Sequence, residues 1–225
     1  MLASAAPNPR SPDGADYFNA SFLINPRGGI AATYRKRRLV IFGEYVPLAR
    51  WLPFLRTFTG VSGDFTPGDR PVPFLLEDRQ VKTSVLICFE DIFPHVARDY
   101  VEADTDFLLN LTNNGWFGES AAQWQHAAAA VFRAIEHGLP LVRCANNGLT
   151  CWVDARGRMH EVFFPDSADV YRAGFKLVQV PLLGGGQRTL TFYRRHGDMF
   201  GWGCVALVAC ALAWQEARRR RPQAS

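Results

Sequence analysis

The sequence has no apolar segment near its start and no even set of cysteines. Residues 1–16 are rich in Ala, Pro, Ser and Asp, so they form neither a signal peptide nor a membrane anchor, and we predict a flexible lead-in there. The 5 cysteines are an odd number, and Cys204 and Cys210 lie inside an apolar run. This distribution does not resemble the paired framework of a small secreted domain, so we expect no structural disulfide.

Metal-ligand spacing and a broad basic surface are also missing. No pattern of His, Cys, Asp or Glu has the spacing of a metal site, so we predict no metal and no other cofactor. The formal net charge is +4, but residues 218–221 supply four of the 25 Lys and Arg residues. Without this terminal cluster the charge is near neutral, which argues against a nucleic-acid partner.

What the sequence does contain predicts an α/β domain. With 225 residues and 48% hydrophobic side chains, the chain can bury a full core. Strands are predicted at residues 18–24, 30–34, 73–76, 83–88, 106–111, 141–145, 149–153 and 175–182, and helices at residues 94–103 and 121–137. Strands that first alternate with helices and later form hairpins predict a mixed sheet. We assign residues 17–190 to this domain.

Residues 199–214 contain no charged side chain. As a helix this run would cover somewhat less than the roughly 30 Å hydrocarbon core of a bilayer, and the alternative is a buried core helix. The flanks favour a membrane span, because Trp202 and Trp214 lie near its ends and four Arg residues follow. We predict a transmembrane helix at 199–217 and a basic cytoplasmic tail at 218–225, which puts the preceding domain on the extracytoplasmic side.

Cys88 ends the most apolar of the predicted strands. A lone cysteine at such a place is usually a small buried hydrophobic residue. Here, however, Phe89, Glu90 and Asp91 follow directly, and the next predicted helix begins near Pro94. A thiol at a strand-to-helix transition can lie near amide donors and a positive helix end, which favours the thiolate that attacks acyl groups. Cys88 is therefore a candidate nucleophile.

A basic run, YRKRRL at 34–39, is followed by FGEYVPL at 42–48. Alone, the basic run is typical of a solvated surface. Glu44, however, stands among apolar residues directly after it. A cation near a reacting carbonyl stabilises the negative charge that develops there, and a carboxylate beside a lysine can fix its position and charge. The two segments are thus candidates for one site.

These segments carry a family resemblance. Residues 34–48 (YRKRRLVIFGEYVPL) resemble the lysine motif of the apolipoprotein N-acyltransferases, which are members of the nitrilase superfamily. ICFE at 87–90 resembles the nucleophile motif of that family, and NNGWFG at 113–118 resembles its next signature. Further matches, in the expected order, are Gln125-His126, RAIE at 133–136, Arg143 and Asn146-Asn147-Gly148. Ile41 departs from the family, which usually has Pro there, and the resemblance covers most of 17–162.

The resemblance implies a nitrilase-like α-β-β-α layered sandwich, truncated at its N-terminus, and a two-step acyl transfer in the bacterial inner membrane. An acyl chain would pass from a membrane phospholipid to the Cys88 thiol, and then to the α-amino group of a diacylglyceryl-modified apolipoprotein. By position in the motifs, Lys36 would stabilise the oxyanion, with Glu44 and Glu90 as supporting carboxylates near the thiol. His126 lies on an Ala-rich predicted helix, where a histidine is more often structural.

Four aromatic residues in loop-like segments are candidates for substrate contact. Trp51 and Phe54 lie in residues 46–70, which have no sustained helical or alternating period, and Trp116 and Phe117 follow the Asn-Asn-Gly sequence. Any one of them could be an ordinary core residue. If the substrate is a membrane lipid, however, loops near the site must offer apolar surface to it.

The first glutamate of the sequence is Glu44. Nitrilase-like sites use an earlier glutamate as general base, so the resemblance implies that the chain lacks this base, as well as the membrane helices that precede the catalytic domain in the family. We therefore expect these 225 residues alone to be an incomplete enzyme with little activity. Two alternatives stay open beside the acyltransferase. One is a soluble-type carbon-nitrogen hydrolase, and the other is a non-catalytic membrane-bound module derived from the enzyme. The fold and the thiol alone do not separate them.

Overall fold

The computed structural model describes residues 2–8, 14–49, 51–58, 65–76, 80–164, 167–183, 186 and 188–219. The strands in these ranges are β1 Leu2–Pro7, β2 Ala15–Ile24, β3 Ile30–Arg35, β4 Phe74–Leu76, β5 Val81–Ile87, β6 Phe107–Thr112, β7 Leu141–Ala145, β8 Cys151–Val153 and β9 Met159–His160. The helices are α1 Pro94–Tyr100, α2 Ala122–His137, α3 Phe192–His196 and α4 Met199–Arg219, with short 3-10 turns at Pro53–Phe58, Cys88–Ile92 and Gly115–Phe117.

The first three strands form an antiparallel sheet in the order β1-β2-β3. The strands predicted at 18–24 and 30–34 are confirmed as β2 and β3, which pair as an antiparallel hairpin. In the turn between them, Asn25 Oδ1 accepts hydrogen bonds from the backbone N–H groups of Arg27 and Gly29, both at 2.9 Å. The structure differs from the flexible lead-in predicted for 1–16, because β1 pairs with β2. Composition does not reveal a partner strand that is available nearby. Within that lead-in, residues 1 and 9–13 lie outside the described part of the chain.

The other six strands form a mixed sheet in the order β4-β5-β6-β7-β8-β9, which confirms the predicted α/β fold class. β5, β6 and β7 are parallel neighbours, and the remaining pairs are antiparallel. Ile87, Leu111 and Cys144 are in register across the three parallel strands. The residues that follow Ile87, Leu111 and Cys144 therefore meet at one edge of the sheet.

One continuous apolar core joins both sheets to α1 and α2. Val85, Leu86 and Ile87 are at most 1% exposed, so both faces of β5 are covered, as its apolar sequence predicted. Tyr34 of the first sheet and Ala130 of α2 belong to the same cluster. β5 is thus the central element from which the Cys88 turn begins.

The strand predicted at 175–182 is wrong, because these residues pair with no strand in the described part of the chain. Phe175 and Leu177 are 83% and 90% exposed. The segment is held instead by the Lys176 amine, which donates to the backbone carbonyls of Thr150, Glu161 and Val162 at 2.6–2.8 Å. A strand also needs a free sheet edge to pair with, and a local sequence pattern does not supply one.

The long terminal helix α4 is exposed along its whole length in the isolated chain. It is long and apolar enough to cross a membrane by length and composition, with a mean hydropathy of 1.3. α3 lies just before it and is clasped to the domain: Arg98 Nε of α1 donates to the Arg194 carbonyl at 3.2 Å, and Arg194 donates to the Val101 carbonyl at 2.8 and 3.0 Å. Of the predicted tail, residues 220–225 lie outside the described ranges.

Candidate functional site

Cys88 begins a 3-10 turn directly after β5 and has a positive φ of 51°. A non-glycine residue in this left-handed region costs roughly 1–3 kcal/mol, and such strain persists only where the surroundings enforce it. The thiol is half-buried, and its Sγ lies 3.9 Å from the Asn113 carbonyl oxygen, just beyond the end of β6. The fold therefore holds a cysteine in a strained turn at the carboxyl edge of the sheet.

Lys36 and Glu44 form a buried ion pair. The Lys36 side chain is 1% exposed, and its Nζ donates to the two carboxylate oxygens of Glu44 at 2.9 and 2.7 Å. Glu44 also accepts hydrogen bonds from Asn19 Nδ2 at 2.7 Å and from the Val40 N–H at 2.8 Å. Burial of two charges is costly unless their geometry is good, so these extra bonds hold the lysine in one position. The structure thus brings together the two residues from neighbouring sequence segments.

Glu90 is fully buried, and its carboxylate is hydrogen-bonded to a tyrosine hydroxyl and to backbone N–H groups rather than to the Cys88 thiol. Its carboxylate accepts from the Tyr34 hydroxyl at 2.7 Å and from the backbone N–H groups of Ile87, Arg37 and Arg38 at 2.8, 2.7 and 3.1 Å. Burial raises the pKa of Glu90 above its ordinary value, whereas these hydrogen bonds act in the opposite direction. The carboxylate joins Tyr34 of β3 and the backbone at 37–38, on either side of Lys36, to the turn that carries Cys88.

Replacement of Glu90 by Gln should destabilise the protein. The amide nitrogen would face at least one of the N–H donors that now point at a carboxylate, and a buried group left without its partner costs about 1–3 kcal/mol. Thermal unfolding followed by circular dichroism should show a melting temperature lower by several degrees. The exposed Glu119 provides the control. A melting temperature for Glu90→Gln equal to that of Glu119→Gln would contradict the joining role.

A second buried network lies under the Cys88 turn. The Asp91 carboxylate is within 2.8 Å of Arg143 Nη1 and 2.9 Å of His126 Nε2. Arg143 Nη1 also donates to Asn110 Oδ1 at 2.6 Å, and His126 Nδ1 lies 2.9 Å from Asn114 Oδ1. Sequence reasoning missed Asp91, Asn110 and Tyr34. A usable signal for Asn110 was its position as the polar residue within an apolar strand, FLLNLT.

The four predicted contact aromatics are all exposed rather than core residues. Trp51, Phe54, Trp116 and Phe117 are 79%, 55%, 74% and 42% exposed. Trp116 and Phe117 form the 3-10 turn that begins two residues after Asn113, the residue whose carbonyl contacts the thiol. The segment that follows Trp51 and Phe54 comes back beside the backbone of Lys36 and Glu44. The backbone N–H groups of residues 65 and 68 donate to the Glu44 and Lys36 backbone carbonyls, respectively.

A depression of about 360 Å³ opens at the ends of β6 and β7. It is lined by Leu111, Thr112, Asn113, Cys144, Ala145 and Asn146. Because Asn113 also contacts the Cys88 Sγ, a group held in this depression would lie near the thiol. Among the described residues, no three His, Cys, Asp or Glu side chains lie close enough to hold a metal ion.

Fold and site together define an α/β protein with a candidate thiol nucleophile at the end of a central strand, beside a polar cluster anchored by Glu90. The sequence model of the carbon-nitrogen hydrolase family matches residues 2–167. The chain therefore belongs to the carbon-nitrogen hydrolase family.

Two curated relatives carry one name. The chain is 41% identical over 204 residues to the apolipoprotein N-acyltransferase of Geobacter metallireducens. The aligned region covers 88% of this chain and 36% of that protein. It is 36% identical over 216 residues to the apolipoprotein N-acyltransferase of Chlorobaculum tepidum, with 92% and 39% covered. A solved amidase from Nesterenkonia sp. is similar with 20% identity and a TM-score of 0.46, over 70% of this chain and 54% of that one. The chain spans less than two fifths of the length of the two curated relatives.

Proposed function

We propose that the protein transfers an acyl chain from a membrane phospholipid to the N-terminal amine of a diacylglyceryl-modified apolipoprotein, through a thioester at Cys88. The observation that carries the proposal is the set of Glu90 hydrogen bonds, which ties the lysine segment to the strained cysteine turn. The two named relatives support the choice of substrates. The family name alone fits a hydrolase equally well.

The reaction proceeds in two balanced steps. The Cys88 sulfur bonds to the carbonyl carbon of a phospholipid ester, the ester C–O bond breaks, and the thiol proton ends on the hydroxyl of the departing lysophospholipid. The acceptor amine then bonds to the thioester carbon, the C–S bond breaks, and an amine proton ends on the regenerated thiol. In each step the carbonyl oxygen becomes negative, and the Lys36 ammonium is the group proposed to stabilise it. Glu44 fixes the position of that ammonium.

The test uses the protein purified from its own membranes in detergent, so that it keeps the general base that the family resemblance implies. It is incubated with a phospholipid that carries a deuterated acyl chain and with a diacylglyceryl-cysteine peptide. Mass spectrometry should detect an amide on the peptide that contains the deuterated chain. Ammonia release from small amides without any acyl-peptide would favour the hydrolase, and an inert thiol in both assays would favour a non-catalytic module.

We place the loop that contains Trp51 and Phe54 against the outer surface of the bilayer. Both rings are exposed, and the chain returns from this loop to the ion pair, so a lipid that contacts the loop would be close to the site. Trp51→Glu and Phe54→Glu should each lower turnover of the acyl donor about tenfold or more, because a charge at the interface opposes lipid contact. Ile30→Glu, which alters an equally exposed apolar residue in β3, is the control. Unchanged donor turnover in both loop variants would contradict this placement.

We also infer that α4 crosses the membrane with its C-terminus in the cytoplasm. The Arg residues at its end are the basis, since positive charge next to a span is retained on the cytoplasmic side. Alkaline phosphatase, which is active only outside the cytoplasm, should stay inactive when fused after Ser225, whereas a cytoplasmic reporter fused there should be active. Strong phosphatase activity would reverse the orientation.

A further inference from the structure

The strained turn at Cys88 is held from beneath by the side chain of Asn110. Asn110 lies in the middle of β6 and is fully buried. Its amide nitrogen donates to the Leu86 carbonyl at 3.1 Å and to the Cys88 carbonyl at 3.2 Å, so both hydrogens of the amide are used. These two acceptors lie on either side of the junction between β5 and the turn.

The other end of the Asn110 side chain is fixed as well. Its oxygen accepts from Arg143 Nη1 at 2.6 Å, and the same nitrogen reaches the Asp91 carboxylate at 2.8 Å. Asp91 belongs to the Cys88 turn, three residues after the cysteine, and is fully buried. Hydrogen bonds therefore hold the turn at its first residue, Cys88, through Asn110 and at its fourth residue, Asp91, through Arg143.

These hydrogen bonds act on the backbone of Cys88, the residue with the strained φ. In a trans peptide unit the C=O and N–H groups point in opposite directions, so a carbonyl bound by Asn110 also fixes the direction of the following Phe89 N–H. A cysteine with positive φ returns to a negative φ unless such contacts oppose it. Relaxation would redirect the half-buried thiol, which packs beside the main apolar core.

We propose that Asn110 is a positioning residue that holds Cys88 in its strained conformation and so presents the thiol for reaction. The inference rests on the nucleophile role of Cys88 in the proposed function. It assigns a role in that site to a residue that touches neither substrate nor the reacting sulfur. Loss of the two amide donors should slow reaction of Cys88 without altering thiols elsewhere in the chain.

The experiment measures alkylation by iodoacetamide in the full chain, resolved for each cysteine by peptide mass spectrometry. Asn110→Asp keeps the oxygen that faces Arg143 but removes both donors, and Asn110→Ser removes the reach of the side chain with no new charge. Each should slow alkylation of Cys88 about tenfold, the ratio expected for loss of a strained conformer, while the exposed Cys144 reacts as before. Ser84→Ala loses a buried hydrogen bond of 2.8 Å to the Tyr100 carbonyl, away from the turn, and should leave both rates unchanged.

The outcomes separate this inference from the proposed function. Equal Cys88 rates in the native chain and both Asn110 variants would overturn the positioning role alone. A Cys88 that is not alkylated in the native chain would contradict the nucleophile itself. If both Asn110 variants were unfolded, with Cys88 and Cys144 reacting at equal rates while Ser84→Ala stayed folded, Asn110 would be a support of the fold and the proposal would be wrong.

Discussion

Replacement of Cys88 by alanine is expected to abolish the covalent acyl intermediate completely. Incubation of the native protein with phospholipid should add the mass of one acyl chain to the peptide that contains Cys88, and hydroxylamine should remove it, because a thioester is labile to this nucleophile. The variant has no sulfur at that position, so no adduct can form there. Intact-protein and peptide mass spectra measure both results.

Cys144 provides the matched control for this experiment. It is exposed, it lies next to the last residue of the parallel strand β7 in the same sheet, and it lines the depression at the ends of β6 and β7. Cys144→Ala should retain the full adduct on Cys88, because exposure alone does not make a thiol an acyl acceptor. An adduct on Cys144 or Cys151 that persists in Cys88→Ala would move the nucleophile and contradict the motif assignment.

Replacement of Lys36 by methionine should suppress thioester formation by a factor of about 100 to 1,000. Loss of one donor to a developing oxyanion typically costs about 3–4 kcal/mol of transition-state stabilisation. Methionine retains an unbranched stem of similar size, so the packing of this 1% exposed side chain is largely preserved. Single-turnover rates of acyl adduct formation measure the effect, and a near-normal rate would assign Lys36 a structural role only.

The buried partner of Lys36 needs its own control. Within the described residues, Lys36→Met leaves Asn19 and Val40 as the donors to the Glu44 carboxylate, and an uncompensated, largely buried charge can itself destabilise the protein. The double variant Lys36→Met/Glu44→Gln removes that charge. If Glu44 acts only by holding the ammonium, the double variant should be as slow as Lys36→Met but should melt at a higher temperature.

The sequence predicted the elements of this fold whose signal is local. The apolar run of β5, the strands β2 and β3 and the Ala-rich helix α2 each carry a local sequence pattern, and each was found near its predicted bounds. The predictions of a flexible segment at β1 and of a strand at residues 175–182 differ from the structure for the same physical reason. Whether an extended segment becomes a strand depends on a free sheet edge, and that edge is formed by residues elsewhere in the chain.

In the candidate site as well, contacts between residues near in sequence were predictable and contacts between distant residues were not. The proximity of Lys36 and Glu44 was suggested by their adjacent segments, but the contacts of Glu90 were not, because its partner Tyr34 is 56 positions away in sequence. A buried carboxylate beside a cysteine gives no sequence signal that separates a group acting on the thiol from one that fastens two backbone segments. Asn110 gave a signal as the polar residue of an apolar strand, but its role did not, since its partners come from three different elements.

The clasp between α1 and α3 has a geometric consequence for lipid access. α1 begins two residues after the Cys88 turn ends, and its Arg98 holds the carbonyl of Arg194, five residues before α4. With α4 across a bilayer, as proposed, this short connection sets the height of the thiol above the lipid surface. In the proposed reaction, an ester bond at the glycerol depth must then rise by that distance to meet the sulfur. Lengthening the Gly197-Asp198 joint by inserted glycines should therefore shift which lipids react, even with every residue around Cys88 unchanged.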